Sequence, residues 1–156
     1  MTPFSKDRMS SITLRFLAEP STINFGGKVH GGTVMKWIDE AGYACATRWA
    51  KNYCVTVSVG SVRFERPIRI GDLVEVEARL AYTGTTSMNM SVEVRAGDMK
   101  TGRMERITEC LVVFVAIDAD GKSLPVREWR PETPGDSALA ERVKANLDAA
   151  RSLNGV

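Results

Sequence analysis

An aspartate in the middle of an apolar helix is the first residue in this sequence that calls for a chemical explanation. From Thr33 to Ala50 the positions Val34, Met35, Trp37, Ile38, Ala41, Ala44, Cys45, Ala46 and Trp49 spread around much of the helical wheel, the pattern of a helix buried on most sides. A carboxylate there is costly unless paired, hydrated or needed, which makes Asp39 a candidate acid, base or nucleophile. The plainer alternative is a solvated polar edge in which Asp39 meets Lys36, although the favourable ion-pair order puts the acid first. Just upstream, Gly31, Gly32 and Thr33 would offer bare backbone amides at the helix start, where the dipole favours developing negative charge. Such an end can polarise a carbonyl, and Asp39, about two turns further on, leaves room for one between. Paired glycines also serve simply as turn and cap residues. Asn24 could orient a water or bind a carbonyl, or be an ordinary loop residue before glycines. His30 could exchange a proton near neutral pH, or make a structural hydrogen bond.

Other chemistries lack their residues. GxSxG is absent, which argues against a serine nucleophile. One histidine with no cysteine or carboxylate at ligand spacing excludes zinc chemistry, and no metal is expected. The stretch NFGGKVHGGT has neither the GK[ST] ending of a phosphate loop nor the GxGxxG spacing of a dinucleotide fold. Cys45, Cys54 and Cys110 are odd in number and widely spaced, as suits reduced, packed thiols.

These residues need elements to hold them. Ser11 to Leu17 alternates Ile12, Leu14 and Phe16 with polar neighbours, a half-buried strand ended by Pro20. After the helix, Cys54 to Arg66 places Val55, Val57 and Val59 on one face and then shifts phase to Val62 and Phe64, which predicts a bulge at Gly60 or Ser61. Val74 to Tyr82, Met88 to Val94 and a strand from near Met104 to Ile117 repeat the two-residue period, and turns at Gly71-Asp72, Gly97 to Gly102 and Asp118 to Gly121 favour an antiparallel meander. Beyond Pro125, the breakers Pro131, Pro134 and Gly135 precede a helix starting at Asp136 or Ser137, with Leu139, Val143, Leu147 and Ala150 on one face.

The chain of 156 residues has room for one ordinary domain. Its 44% apolar and 26% charged residues are those of a soluble globular chain, which excludes a disordered, collagen-like or disulfide-stapled peptide. A net charge of +2 creates no field that would recruit nucleic acid or an acidic membrane. The longest apolar run, Leu111 to Ile117, is far too short to span a bilayer, and the polar opening MTPFSKDRMSS lacks a secretory signal, so a cytoplasmic location is expected.

The string NFGGKVHGGTVMKWIDEAGYACATRWA, followed by VTVSVGSVRFERPIRIGDLVEV and TGTTSMNMSVEV, resembles the hotdog-fold acyl-CoA thioesterases, especially the cytosolic brain-type and bacterial broad-range acyl-CoA hydrolases. The similarity runs from about Ser11 to Val126, and the order Asn, VHGG, DEAG, FxxP, GD and TSM carries it. The expected fold is α+β, an antiparallel sheet wrapped around a long central helix, with a hotdog domain over 1–130 and a linker and amphipathic helix over 131–156. The resemblance implies hydrolysis of fatty acyl-CoA to fatty acid and CoA without cofactor or metal. Asp39 matches the family's helix carboxylate, as general base or nucleophile, Asn24 its loop asparagine from the opposite subunit, and Gly31-Gly32 the backbone that polarises the carbonyl. A homodimer at minimum, in a trimer of dimers, is the implied assembly. His30, Thr33, Ser58, Arg66, Thr86 and Ser87 are the candidate substrate and CoA contacts, with Arg66 for a phosphate and Thr86-Ser87 for the pantetheine arm. Met35, Trp37 and Met90 could wall an acyl tunnel or simply pack the core, and Trp129 could stack an adenine or pin the tail. Two competing functions are an acyl-CoA sensor without turnover and a hydroxyacyl dehydratase using His30 with Asp39.

Overall fold

A computed structural model describes residues 8–153, with side chains through residue 149. The polar opening at residues 1–7 and the side chain of Ala150 lie outside the described residues. The elements are β1 (Ser11–Leu17), α1 (Gly31–Ala50), β2 (Cys54–Val59), β3 (Leu73–Thr83), β4 (Ser87–Gly97), β5 (Met104–Ala116) and α2 (Pro134–Leu153). The five strands form one antiparallel sheet in the order β1-β3-β4-β5-β2. Its centre, β3-β4-β5, is the expected meander, and the strands flanking α1 in sequence take the two edges.

The sheet curls around α1 because the helix presents small residues where it meets the strands. Val34, Ile38, Ala41, Gly42, Cys45 and Ala46 are buried, against Val74, Val76, Ala78, Met90, Val92, Val112 and Phe114 of the sheet's inner face. Gly42 is the closest approach: a Cβ there would stand 2.7 Å from Cε1 of Phe114 and 3.1 Å from Cγ2 of Val112. Burying a side chain such as Ile38 contributes about 1.5–3 kcal/mol. The helix starts at Gly31, two residues earlier than its apolar pattern, and ends where Lys51 turns left-handed and its N–H donates to the Thr47 carbonyl.

The register slips at three places in the sheet, one of them between Val94 and Arg95, and the other two change which side chains face the helix. In β2 the register slips between Thr56 and Ser58, so Val57 is the extra residue, and the strand stops at Val59. The bulge expected at Gly60 or Ser61 therefore lies earlier. The valine-rich stretch reads the same in either phase, so periodicity alone does not locate the slip. A second slip between Leu80 and Tyr82 turns Tyr82 outward and tucks Ala81 under α2.

Helix α2 packs on the outer face of the sheet through Leu139 and Val143 against Ala81, with Leu111 and Leu147 alongside. It begins at Pro134 rather than at Asp136 or Ser137, because Pro134 and Gly135 sit inside a capping arrangement. The Asp136 N–H donates to Thr133 Oγ1, and the Thr133 N–H donates to Asp136 Oδ2. Arg8 grips the Asp136 carboxylate with two hydrogen bonds of 2.8 and 2.5 Å, tying the start of the chain to that cap. Trp129 is buried and its backbone N–H donates to Thr83 Oγ1, so it pins the tail.

Candidate active site

Asp39 lies on the outward face of α1, half-buried, between Met35 one turn before it and Tyr43 one turn after it. Its Oδ1 accepts a hydrogen bond of 2.5 Å from Thr56 Oγ1 on β2. Lys36 pairs with Glu40 instead, at 3.8 Å, and no cation pairs with Asp39 among the described residues. The solvated-edge alternative thus loses its partner: the acid is held by a hydroxyl, with Oδ2 left open. Thr56 was not among the expected site residues. The available signal was a threonine two positions from buried Cys54, hence on the same inward face of an edge strand.

The start of the helix forms a second cluster. His30 occupies the N-cap without a capping side chain, Val34 makes the first intrahelical bond, and exposed Gly31 and Gly32 keep free amides. The Phe64 ring packs over Gly31, where a Cβ would come within 3.3 Å of it. The preceding loop is tightly specified. Gly27 turns at φ 76°, the His30 N–H donates to the Thr22 carbonyl, and the Val29 N–H donates to the Ile68 carbonyl. Asn24 Oδ1 accepts from the N–H groups of Gly26 and Lys28 at 2.9 and 3.2 Å. Its carbonyl oxygen is thus spent on the loop, while its amide NH₂ makes no bond to a described residue and remains a donor.

The two clusters do not meet within one chain. At about 1.5 Å per residue, Gly31 and Asp39 are roughly 12 Å apart along the axis, and Asn24 shares no hydrogen bond with Asp39 among the described residues. Of the other expected contacts, exposed His30 and half-buried Thr33 belong to the helix start. Arg66 is ion-paired with Glu105 at 2.6 Å, roughly 30 Å along β5 from Phe114, the partner of Thr56. Thr86 and Ser87 sit on the β3-β4 hairpin, at the same end of the sheet as Thr56, Ser87 pairing with Val115. Ser58 lies beyond the Val57 bulge, lining a cleft of about 410 Å³ on the outer face with Leu111, Val113 and Leu147, away from Asp39.

Burial disfavours the thiolate form of all three cysteines. Burial pushes Cys45 up to about 12, against the opposing charge of Arg48, and Cys110 up to about 11, with Glu109 adding to the effect. Cys54 is also raised, by burial. Met90 is fully buried in the core, and Trp37 packs edge-on against Phe16 at 4.7 Å, beside a cleft of about 530 Å³ at the β1 edge. Of the three candidate tunnel walls, only Met35 stands next to Asp39. Among the described residues no cluster of three His, Cys, Asp or Glu could hold a metal ion, and no helix is long and apolar enough to cross a membrane.

Comparison with known proteins agrees with the fold. Residues 26–103 match the family model described as the thioesterase superfamily. The chain is 35% identical to the acyl-CoA thioester hydrolase YciA of Salmonella typhimurium over 129 residues, 81% of this chain and 97% of that protein. It superposes on an apo-hexameric acyl-CoA thioesterase with a TM-score of 0.89 and 31% identity, covering 95% of both chains. An acyl-CoA hydrolase from Staphylococcus aureus, solved with butyryl coenzyme A and coenzyme A, superposes with a TM-score of 0.85 at 27% identity, over 94% of this chain and 89% of that one. That enzyme has also been solved with an asparagine, an aspartate and a threonine each replaced by alanine, three residues that follow one another at the spacings of Asn24, Asp39 and Thr56. A hotdog sheet around a central helix, matched over half its length by the family model and over nearly all of it by solved enzymes, makes this chain a member of the thioesterase superfamily.

Proposed function

We propose that this protein hydrolyses the thioester of acyl-CoA to a free carboxylic acid and CoA, at a site shared between two copies of the chain. The observation that carries the reading is Asp39 held by Thr56 on an open face of an otherwise buried helix, with one carboxylate oxygen uncommitted. The similarity to acyl-CoA hydrolases supplies the substrate class.

Because a rigid helix separates Gly31 from Asp39 by roughly 12 Å, one carbonyl cannot bridge the two within a chain. A two-fold related copy running antiparallel brings the Asn24 loop and helix start of one subunit to the Asp39-Thr56 pair of the other. In that arrangement Thr56 fixes Oδ1 and Asp39 Oδ2 takes a proton from a water that the Asn24 amide of the partner subunit holds in line. The water oxygen attacks the thioester carbon. The carbonyl oxygen becomes an oxyanion against the free amides of Gly31 and Gly32, where the helix dipole favours negative charge. The tetrahedral intermediate then collapses and expels CoA thiolate, which needs no strong acid since a thiol ionises near pH 8.5, and Asp39 returns its proton to that thiolate or to solvent. Water is the only co-reactant, so the reaction requires no cofactor.

A homodimer is the minimum assembly, and a trimer of dimers accords with the hexameric relatives. Reduced, buried thiols and a CoA substrate fit a cytoplasmic location. Thiol release from acyl-CoA tests the reading. Asp39→Asn should lower kcat by about 10²- to 10⁴-fold, the usual contribution of a positioned base. Undiminished turnover by that variant would remove Asp39 from the site.

A further inference from the structure

Two exposed apolar groups flank Asp39 along α1, Met35 one turn towards the helix start and Tyr43 one turn towards its end. Tyr43 is 40% exposed and Tyr53, in the short connection before β2, is 57% exposed. Their rings meet edge to face at 6.2 Å, and neither hydroxyl bonds to a described residue. Two open aromatic rings held together one turn from a candidate catalytic acid are not core packing; they are a rigid apolar surface left for something else.

In the antiparallel pair proposed above, Gly31 of each copy meets Asp39 of the other, which puts the two-fold axis beside the midpoint of that stretch, near Met35. An acyl group running from Asp39 towards Met35 would approach that axis and meet its counterpart from the second site. Outward along α1 it meets the Tyr43-Tyr53 pair, one helical turn or about 6 Å beyond Asp39. An extended chain of ~1.5 Å C–C bonds advances about 1.25 Å per carbon, so that distance holds about five carbons.

We infer that Tyr43 and Tyr53 form the end wall of the acyl pocket and restrict this site to short acyl-CoA. The inference rests on the hydrolase reading above. Thiol release from butyryl-CoA, octanoyl-CoA and dodecanoyl-CoA tests it. The unaltered protein should have a higher kcat/KM for butyryl-CoA than for dodecanoyl-CoA. Tyr43→Ala should raise the dodecanoyl-to-butyryl ratio by about tenfold or more, since even one methylene in such a pocket is worth roughly 10- to 200-fold. Tyr53→Ala should move the ratio the same way, and because Tyr53 lies outside the helix it carries the test if Tyr43→Ala fails to fold by circular dichroism. Tyr43→Phe keeps the ring and should keep the ratio.

An unaltered ratio in both alanine variants, or a KM change equal for all three substrates, would place the rings elsewhere and overturn the inference while leaving hydrolysis intact. Failure of the unaltered protein to cleave any of the three would overturn the hydrolase reading and this inference with it.

Discussion

Replacing Thr56 by valine isolates the one contact that distinguishes Asp39 from a solvated surface acid. The two side chains have nearly the same shape, and valine is at least as good a strand former, so the edge strand β2 should keep its geometry. What disappears is the donor whose Oγ1 stands 2.5 Å from Asp39 Oδ1. A hydrogen bond to a charged group contributes about 1.5–3 kcal/mol, and about 1.36 kcal/mol corresponds to a factor of ten in rate. Thr56 is exposed in the isolated chain, which argues for the lower part of that range, so kcat should fall by about ten- to thirtyfold. Thr56 acts through Asp39 and does not bind the leaving group, so KM should move far less than kcat. Steady-state thiol release separates the two constants, and Thr56→Ser, which restores the hydroxyl, should recover most of the rate. If the valine and serine variants turned over alike, the hydroxyl would do nothing for the carboxylate and the assignment of Asp39 as an oriented base would fail.

Two further outcomes probe the scaffold. Gly42→Ala would gain about 1 kcal/mol in helix propensity but force a Cβ to 2.7 Å from the Phe114 ring, and overpacking of this kind costs about 1–3 kcal/mol. A net loss of about 1 kcal/mol should appear as a lower urea midpoint at unchanged slope. Asp136→Asn should cost about 1.5–3 kcal/mol at pH 7, the range for a hydrogen bond to a charged group, because it leaves Arg8 facing a neutral group at the α2 cap. The Arg8 hydrogen bonds hold the Asp136 carboxyl well below the usual carboxylate range. Its stabilising effect is therefore complete above the unfolded value near pH 4 and lost as pH falls towards the folded one, so the gap between the two proteins should stay constant from pH 7 to about 5 and close only in stronger acid. Urea titrations across that range measure it.

The architecture was legible wherever one face of an element is buried, because burial imposes a period. The inward sides of β3, β4 and β5 alternate as the sheet requires, and the breadth of the apolar surface on α1 announces a helix enclosed by the sheet. Where burial relaxes, so does legibility. The outer residues of β2 are exposed, which let the slip at Val57 pass unseen among interchangeable valines. The start of α2 was misplaced for a different reason. Pro134 and Gly135 read as breakers when taken singly, but Thr133 and Asp136 at capping spacing turn them into the first turn.

Asp39 was conspicuous because a carboxylate on a buried helix must be explained by something, whereas a threonine in a strand needs no explanation, so the strand period that puts its partner Thr56 on the inward face does not single it out. The separation between the acid and the free amides follows the same logic at larger scale. Counting residues places Gly31 and Asp39 close together, yet the rise of a rigid helix sets them roughly 12 Å apart, and no loop lies between them to close the gap. Chemistry that needs both must therefore draw them from two helices. An antiparallel pair of α1 helices does this twice with one contact, since each helix then offers its amides to the other's acid. In the proposed enzyme, assembly is thus a condition of catalysis, and dilution below the dimer dissociation constant should abolish thiol release while the sheet and its buried helix remain folded.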